Sequence, residues 1–175
     1  GYYPADQWVQ GFSHDGVTTV AQIAAATPGG STHRIRMTVT TADASLAAGQ
    51  YYIILQSIEG LRTADLLWGT ASAKDIVVRF GFKGPAGTYA ARMGNVDGTR
   101  AYVREFTISG GEANTDTVQT VTFPGDTSGT WPTGNTSWGS LVIGLAAGTT
   151  FQTTADAWQS GNYAGTSSTT NGIGT

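Results

Sequence analysis

A chain of 175 residues and 18.1 kDa is the size of one domain, and at that size it buries roughly 70% of its unfolded surface and needs no covalent staples. Nine Lys and Arg against twelve Asp and Glu leave a net charge of −3, so no basic field exists to draw in a phosphate backbone and a dedicated nucleic-acid binder is excluded. Cys is absent, which removes disulfide frameworks and thiolate metal sites, and no apolar run approaches the roughly 18 residues that membrane insertion by a helix needs.

Charged residues are 12% of the chain and aromatic residues 10%, with 25 Gly. Short apolar runs separated by turn residues make this an all-β composition rather than a disordered one. The first expected strand is Gln7–Ser13, followed by His14-Asp15-Gly16, where Asp-Gly between β-favouring runs is a hairpin signal. Val17–Ala26 runs to the turn Thr27-Pro28-Gly29-Gly30. In Arg34–Thr41, Ile35, Met37 and Val39 alternate with Arg36, Thr38 and Thr40, so one face is apolar and the other polar. Gln50–Ile58 is more continuously apolar and is expected deep in a sheet.

Leu61–Ala71 breaks the alternation and is read as a short helical turn or an irregular edge. Strand character resumes at Asp75–Phe82. Tyr89–Met93 and Arg100–Ser109 flank Asn95-Val96-Asp97-Gly98 and form a hairpin by their turn chemistry. Thr115–Phe123 alternates again, and a loop is expected over Pro124–Ser140. Leu141–Leu145 is the next strand, Thr154–Gln159 a short helical turn, and Gly161–Thr175 a polar tail rich in Gly, Ser and Thr. About nine short strands, several with one polar face, fit an antiparallel β-sandwich of the jelly-roll type, with long loops and at most short helical turns.

Catalytic constellations are sparse. The three Glu are Glu59, Glu105 and Glu112, and no pair of them is expected in one cleft as glycoside hydrolysis requires. Asp65, Asp97, Asp126 and Asp156 fall in turns or helix starts, where Asp serves the backbone. His14 and His33 are the two histidines, too few for a zinc site without Cys. Ser13-His14-Asp15 cannot form a triad, because neighbours in an extended segment point to opposite sides. No nucleophile elbow and no phosphate loop occur. A structural calcium ion held by loop Asp, Asn and carbonyl groups is compatible with the sequence, although no EF-hand loop is present. No cofactor is expected.

Aromatic residues in polar loops suggest binding instead. A sugar offers an apolar C–H face to an aromatic ring, and its hydroxyls need short polar partners. Trp131, Asn135, Trp138, Asp156, Trp158, Gln159, Asn162 and Tyr163 supply both within the C-terminal third, and they are the candidate glycan-binding residues. The same rings also fit a second use, plugging the open end of a sandwich and completing its core. A third use is packing against copies of the chain in an assembly, for which a low-charge, Thr-rich β surface is suited.

The stretch Ile58-Glu59-Gly60-Leu61-Arg62-Thr63-Ala64-Asp65-Leu66-Leu67-Trp68-Gly69-Thr70-Ala71 resembles the "IEG…L.WGTA" block of tail-fibre and other virion-associated proteins of bacteriophages and prophages. There it is followed by a strand similar to Ile76–Phe82. Two later blocks, Phe123–Pro132 and Trp158–Tyr163, match in order and spacing. The resemblance implies a sandwich like that of carbohydrate-binding modules, displayed on the outer surface of a virion. Such proteins usually carry a segment before an "AD.W" block, here Ala5-Asp6-Gln7-Trp8, and a strand after a "TN" block, here Thr170-Asn171. Residues 1–175 are therefore expected to form one sandwich domain cut from a longer chain, with flanking strands missing at both ends.

The expectation is a non-enzymatic structural and adhesion module of a tail fibre, spike or head fibre. Its expected partners are bacterial surface polysaccharide, other virion proteins and copies of itself, with a homotrimer implied by the resemblance. The alternative is a carbohydrate-binding module of a secreted glycan-degrading enzyme.

Overall fold

The structure is a computed structural model that describes residues 7–174. Ala5 and Asp6 of the "AD.W" block lie outside the described residues. The fold is an antiparallel β-sandwich of the jelly-roll type, as the alternation and turn spacing predict. Ten strands follow in chain order: β1 Trp8–Ser13, β2 Val17–Ala24, β3 His33–Thr41, β4 Tyr51–Glu59, β5 Ile76–Phe82, β6 Gly87–Asn95, β7 Arg100–Ile108, β8 Thr117–Phe123, β9 Ser137–Ala147 and β10 Trp158–Ser160. One layer is a six-stranded sheet in the order β1-β4-β9-β6-β7-β10. The other layer is two separate ribbons, β2-β3 and β5-β8.

Alternation decides which face each strand buries. On β3, Ile35, Met37 and Val39 pack on the core, while Arg36, Thr38 and Thr40 are exposed. On β8, Val121 and Phe123 are buried and Val118 is exposed. The central strands β6 and β9 are buried on both faces. Their inner residues Tyr89, Ala91, Met93, Leu141 and Ile143 join the core. Their outer face is covered by the chain that returns after β10. This covering is close: a Cβ on Gly144 would lie 1.9 Å from the Ala164 carbonyl oxygen, so no larger residue fits at that crossing.

Arg92 stands on this covered outer face and is 6% exposed. It has no carboxylate partner among the described residues. Its Nε donates to the Tyr163 carbonyl at 3.0 Å, its Nη1 to Ser140 Oγ at 3.3 Å, and its Nη2 to Asn162 Oδ1. Burial pulls its pKa down from the ordinary arginine value to about 10, because the charged form is the one that loses solvation. These bonds tie the C-terminal stretch to the sheet.

Three local expectations are corrected. Asp15-Gly16 does not close a hairpin: β1 pairs with β4 and β2 with β3, so the turn carries the chain between layers. Asp43 holds this corner by accepting the Asp15 amide at 2.9 Å. Thr154–Gln159 is not helical. Asp156 takes φ 64° with its amide on the Val103 carbonyl, and Trp158–Ser160 extends the sheet beside β7. The single-turn 3-10 segment lies earlier, at Thr149–Phe151. The loop after β8 is also shorter than expected, since β9 begins at Ser137 and includes Trp138. The Asn95–Gly98 hairpin forms as expected, with Gly98 at φ 65°. The irregular stretch at Leu61–Ala71 is two single 3-10 turns, Gly60–Arg62, which starts one residue before it, and Ala64–Leu66, followed by turns.

Candidate functional site

The three blocks that carry the virion-protein resemblance meet in space. Trp68 of the first lies 4.8 Å from Trp131 of the second and 5.3 Å from Trp158 of the third, centroid to centroid. Trp138 completes the cluster at 4.7 Å from Trp68 and 4.6 Å from Trp131. Trp68, Trp131 and Trp138 are buried, and Trp158 is half-buried. The Trp158 ring meets Tyr102 at 5.3 Å and the Arg100 guanidinium at 5.6 Å, and its indole N–H donates to the Pro124 carbonyl.

Asp126 fastens this knot. It is 1% exposed. Arg100 grips it with two bonds, Nε to Oδ2 at 2.8 Å and Nη2 to Oδ1 at 2.7 Å. Ser128 donates to it from both its amide and its hydroxyl, and the Trp131 indole approaches at 3.3 Å. The Asp126 carbonyl accepts the amide of Gly69, at φ 84° in the first block. Asp126 thus does more than serve its own turn.

Of the expected glycan site, the structure places Trp131 and Trp138 in the core, where they present no open ring face to a sugar. The polar members are distributed. Asn135 is exposed on the loop before β9. Asp156 is exposed and holds Arg104 at 2.6 Å. Asn162 and the Tyr163 carbonyl hold Arg92, and the Tyr163 hydroxyl donates to the Ser160 carbonyl. Gln159 is half-buried on β10. Asp156, Asn162 and Tyr163 are thus engaged in joining segments.

Two concavities stand out. One is a shallow polar hollow of about 560 Å³ on the outer face of the six-stranded sheet, lined by Glu105 with Thr and Gln side chains. Thr166 Oγ1 donates to Glu105 there. The other is a cleft of about 990 Å³ between the two ribbons, at the upper end of the size range of small-ligand sites. The ribbons do not pair with each other, so the inner face of the large sheet is reached from outside between them. Its floor is Ile54, Tyr89, Leu141, Ile143 and Leu145, with Tyr89 buried, and the half-buried Trp8, Phe80 and Phe82 bring aromatic rings to its lining. Gln22, Asn114 and Ser31 add neutral polar groups.

The charged groups at this cleft are uneven. Arg34 on β3 crosses to Asp116, just ahead of β8, with Nη1 2.5 Å from Oδ1 and Nη2 3.3 Å from Oδ2. This link ties the ribbons together. The hydrogen bond to Arg34, helped by the charges of Arg34 and Lys83, holds the Asp116 carboxyl below the usual carboxylate range. The same bond raises the Arg34 guanidinium further above its ordinary value. Arg34 Nε is buried with no hydrogen-bond partner among the described residues. Arg36 and Lys83 line the cleft, are exposed, and have no ion-pair partner among the described residues.

Neither concavity gathers two carboxylates: the polar hollow holds Glu105 and the cleft holds Asp116. Among the described residues no group of three or more His, Asp or Glu side chains assembles into a metal-binding set. The cleft escaped sequence reasoning because it depends on two ribbons failing to pair. The one local signal was His33-Arg34-Ile35-Arg36, a dense basic stretch in a chain with nine Lys and Arg.

No family model matches the chain, and no curated protein matches it in sequence. Solved structures do match in shape. A domain of tailspike protein 4 from bacteriophage CBA120, described as the enzymatically active domain, is similar with a TM-score of 0.50 and 11% identity over 81% of this chain. This chain spans 17% of that tailspike chain. A family 11 carbohydrate-binding module from Clostridium thermocellum, solved with a β-1,3-1,4-mixed-linked tetrasaccharide, has a TM-score of 0.44 and 14% identity, covering 91% of this chain and 85% of the module. The tailspike likeness supports the sandwich fold.

Proposed function

We propose that this chain is a non-catalytic, glycan-binding β-sandwich module of a phage-like particle, displayed on a virion appendage, and that its binding site is the cleft between the two ribbons. The observation that carries this reading is the cleft itself. Most open apolar surface in a sandwich is closed by the facing layer. Here aromatic rings at Trp8, Phe80 and Phe82 and neutral polar groups at Gln22 and Asn114 line an opening of about 990 Å³. Rings accept the C–H faces of sugars, and amide groups take their hydroxyls. The virion setting is supported by the resemblance of the Ile58–Ala71, Phe123–Pro132 and Trp158–Tyr163 blocks. The packing of these blocks into one knot supports a scaffold role for them, with recognition at another surface.

The test is an array of bacterial surface polysaccharides probed with the native chain and with Gln22→Trp. Gln22 lines the cleft and is exposed, so a ring there fills the opening without entering the core. The native chain is expected to retain a subset of glycans, and Gln22→Trp to lose them while keeping its β-type circular dichroism. Unchanged binding by Gln22→Trp would move the site elsewhere, and a native chain that retains no glycan would defeat the reading. Release of sugar from any bound polysaccharide would overturn the non-catalytic part.

A further inference from the structure

We infer that the cleft between the ribbons selects an acidic glycan, one whose repeating units carry carboxylate groups. This inference rests on the glycan-binding reading above and specifies its ligand. The argument is one of charge. The cleft is lined by Arg34, Arg36 and Lys83, three of the nine Lys and Arg in the chain, but by only one of the twelve Asp and Glu, Asp116. His33 and Tyr89 are the remaining titratable lining side chains. A protein with net charge −3 therefore places a local excess of positive charge around this apolar cleft. Asp116 offsets one of the three cations, since both its oxygens are held by Arg34, and the excess that remains is that of Arg36 and Lys83.

Arg34 supplies the second observation. Its guanidinium grips a carboxylate through Nη1 and Nη2, and Nη2 also reaches the Ala26 carbonyl at 2.9 Å. Nε is left buried and unpartnered among the described residues. A buried donor without an acceptor is unfavourable, and an anionic acceptor entering the cleft relieves that cost. Arg36 on β3 and Lys83 just after β5 stand on the two walls, with no carboxylate of their own among the described residues. A chain of uronic acid units fits this arrangement. Its C–H faces rest on the rings, and its carboxylates meet the guanidinium of Arg36, the ammonium of Lys83 and the free Nε of Arg34. Charge-assisted bonds of this kind are about twice as strong as neutral ones.

The experiment is calorimetric titration of the whole chain with oligogalacturonides, with the same oligosaccharides after reduction of their carboxyl groups, and with a glycerol-phosphate polymer. The galacturonides are expected to bind at least about tenfold more tightly than the reduced form. Their affinity should fall roughly tenfold between about 50 and about 500 mM NaCl as the charges are screened. Arg36→Gln and Lys83→Gln change exposed side chains, so both are expected to fold normally, and each should weaken galacturonide binding about threefold to tenfold. Equal binding of the reduced and acidic forms would overturn the inference and leave the glycan reading standing. Preference for the phosphate polymer would overturn the choice of carboxylate. No binding of any oligosaccharide, with a blank polysaccharide array, would overturn both.

Discussion

Asp126→Ala is expected to destabilise the chain by about 3 kcal/mol, the low end of the roughly 3–5 kcal/mol found on breaking a buried ion pair. Asp126 is 1% exposed at its side chain and Arg100 21%, so water reaches the cation left behind and softens its loss. The alanine variant removes both acceptors of the Arg100 fork and the partner of two donors on Ser128. It also takes one of two acceptors from the Trp131 indole, which keeps the Ser128 carbonyl at 3.1 Å. With a urea slope of about 2 kcal/mol per molar, 3 kcal/mol shifts the unfolding midpoint by roughly 1.5 M. Urea titration followed by tryptophan fluorescence reads this directly, because four indoles surround the site. Replacing both partners, Arg100→Met with Asp126→Leu, should recover a large part of the loss, since neither charge is then buried alone. A cost below about 1 kcal/mol for Asp126→Ala, or a double variant no more stable than the single one, would refute the view that this pair fastens the knot.

Trp138→Ala should cost about 3–5 kcal/mol, the range for removing a large buried aromatic side chain, and Trp158→Ala less, because Trp158 is half-buried; thermal unfolding of the two variants gives the order. Gly144→Ala should loosen the C-terminal stretch, since the added methyl would meet the Ala164 carbonyl, and hydrogen exchange should rise over residues 161–172. Tyr52 is fully buried, and burial, partly offset by the Thr18 hydroxyl, pushes its phenol up to about 12. The folded state therefore keeps its proton where the unfolded state has lost it, so this contribution to stability is complete below pH 10 and disappears as pH rises to about 12. Two units correspond to roughly 3 kcal/mol. Arg92 acts in the opposite sense over the same range, its lowered pKa making stability rise with pH above about 10. Comparing the native chain with Tyr52→Phe isolates the tyrosine: the stability difference should change across pH 10–12, and the phenolate absorbance missing from the variant should develop near pH 12.

What the sequence conveys well is decided over a few residues. Ile35, Met37 and Val39 announce their strand because a pleated backbone sends alternate side chains to the same face. The Asn95–Gly98 turn is readable because Gly98 adopts φ 65° at little steric cost. Asp15-Gly16 carries the same kind of local signal and yields a corner between layers, because its outcome is set by Asp43 and by pairing of β1 with the distant β4. The aromatic residues show the same division. Their number is plain in the composition, but whether a ring face is open depends on partners up to 90 residues away, as with Trp68 and Trp158. An indole in a Gly- and Thr-rich loop looks alike whether it waits for a sugar or closes a core.

The fold separates these two tasks. None of Trp68, Asp126, Trp131, Trp138 and Trp158 lines the cleft between the ribbons, although the cleft's floor residues Leu141, Ile143 and Leu145 belong to the same continuous core as the buried tryptophans. The knot and the covered outer face of β6 and β9 hold the large sheet together, so the opposite layer need not be continuous. It can remain two ribbons joined across the opening by Arg34 and Asp116, with exposed Arg36, Thr38 and Arg79 discouraging edge-to-edge association. Side chains such as Gln22, Arg36 and Lys83 can then change without disturbing the residues that secure the scaffold. On the glycan-binding reading proposed above, a surface of that kind can be re-tuned from one glycan to another while its supporting blocks keep their packing.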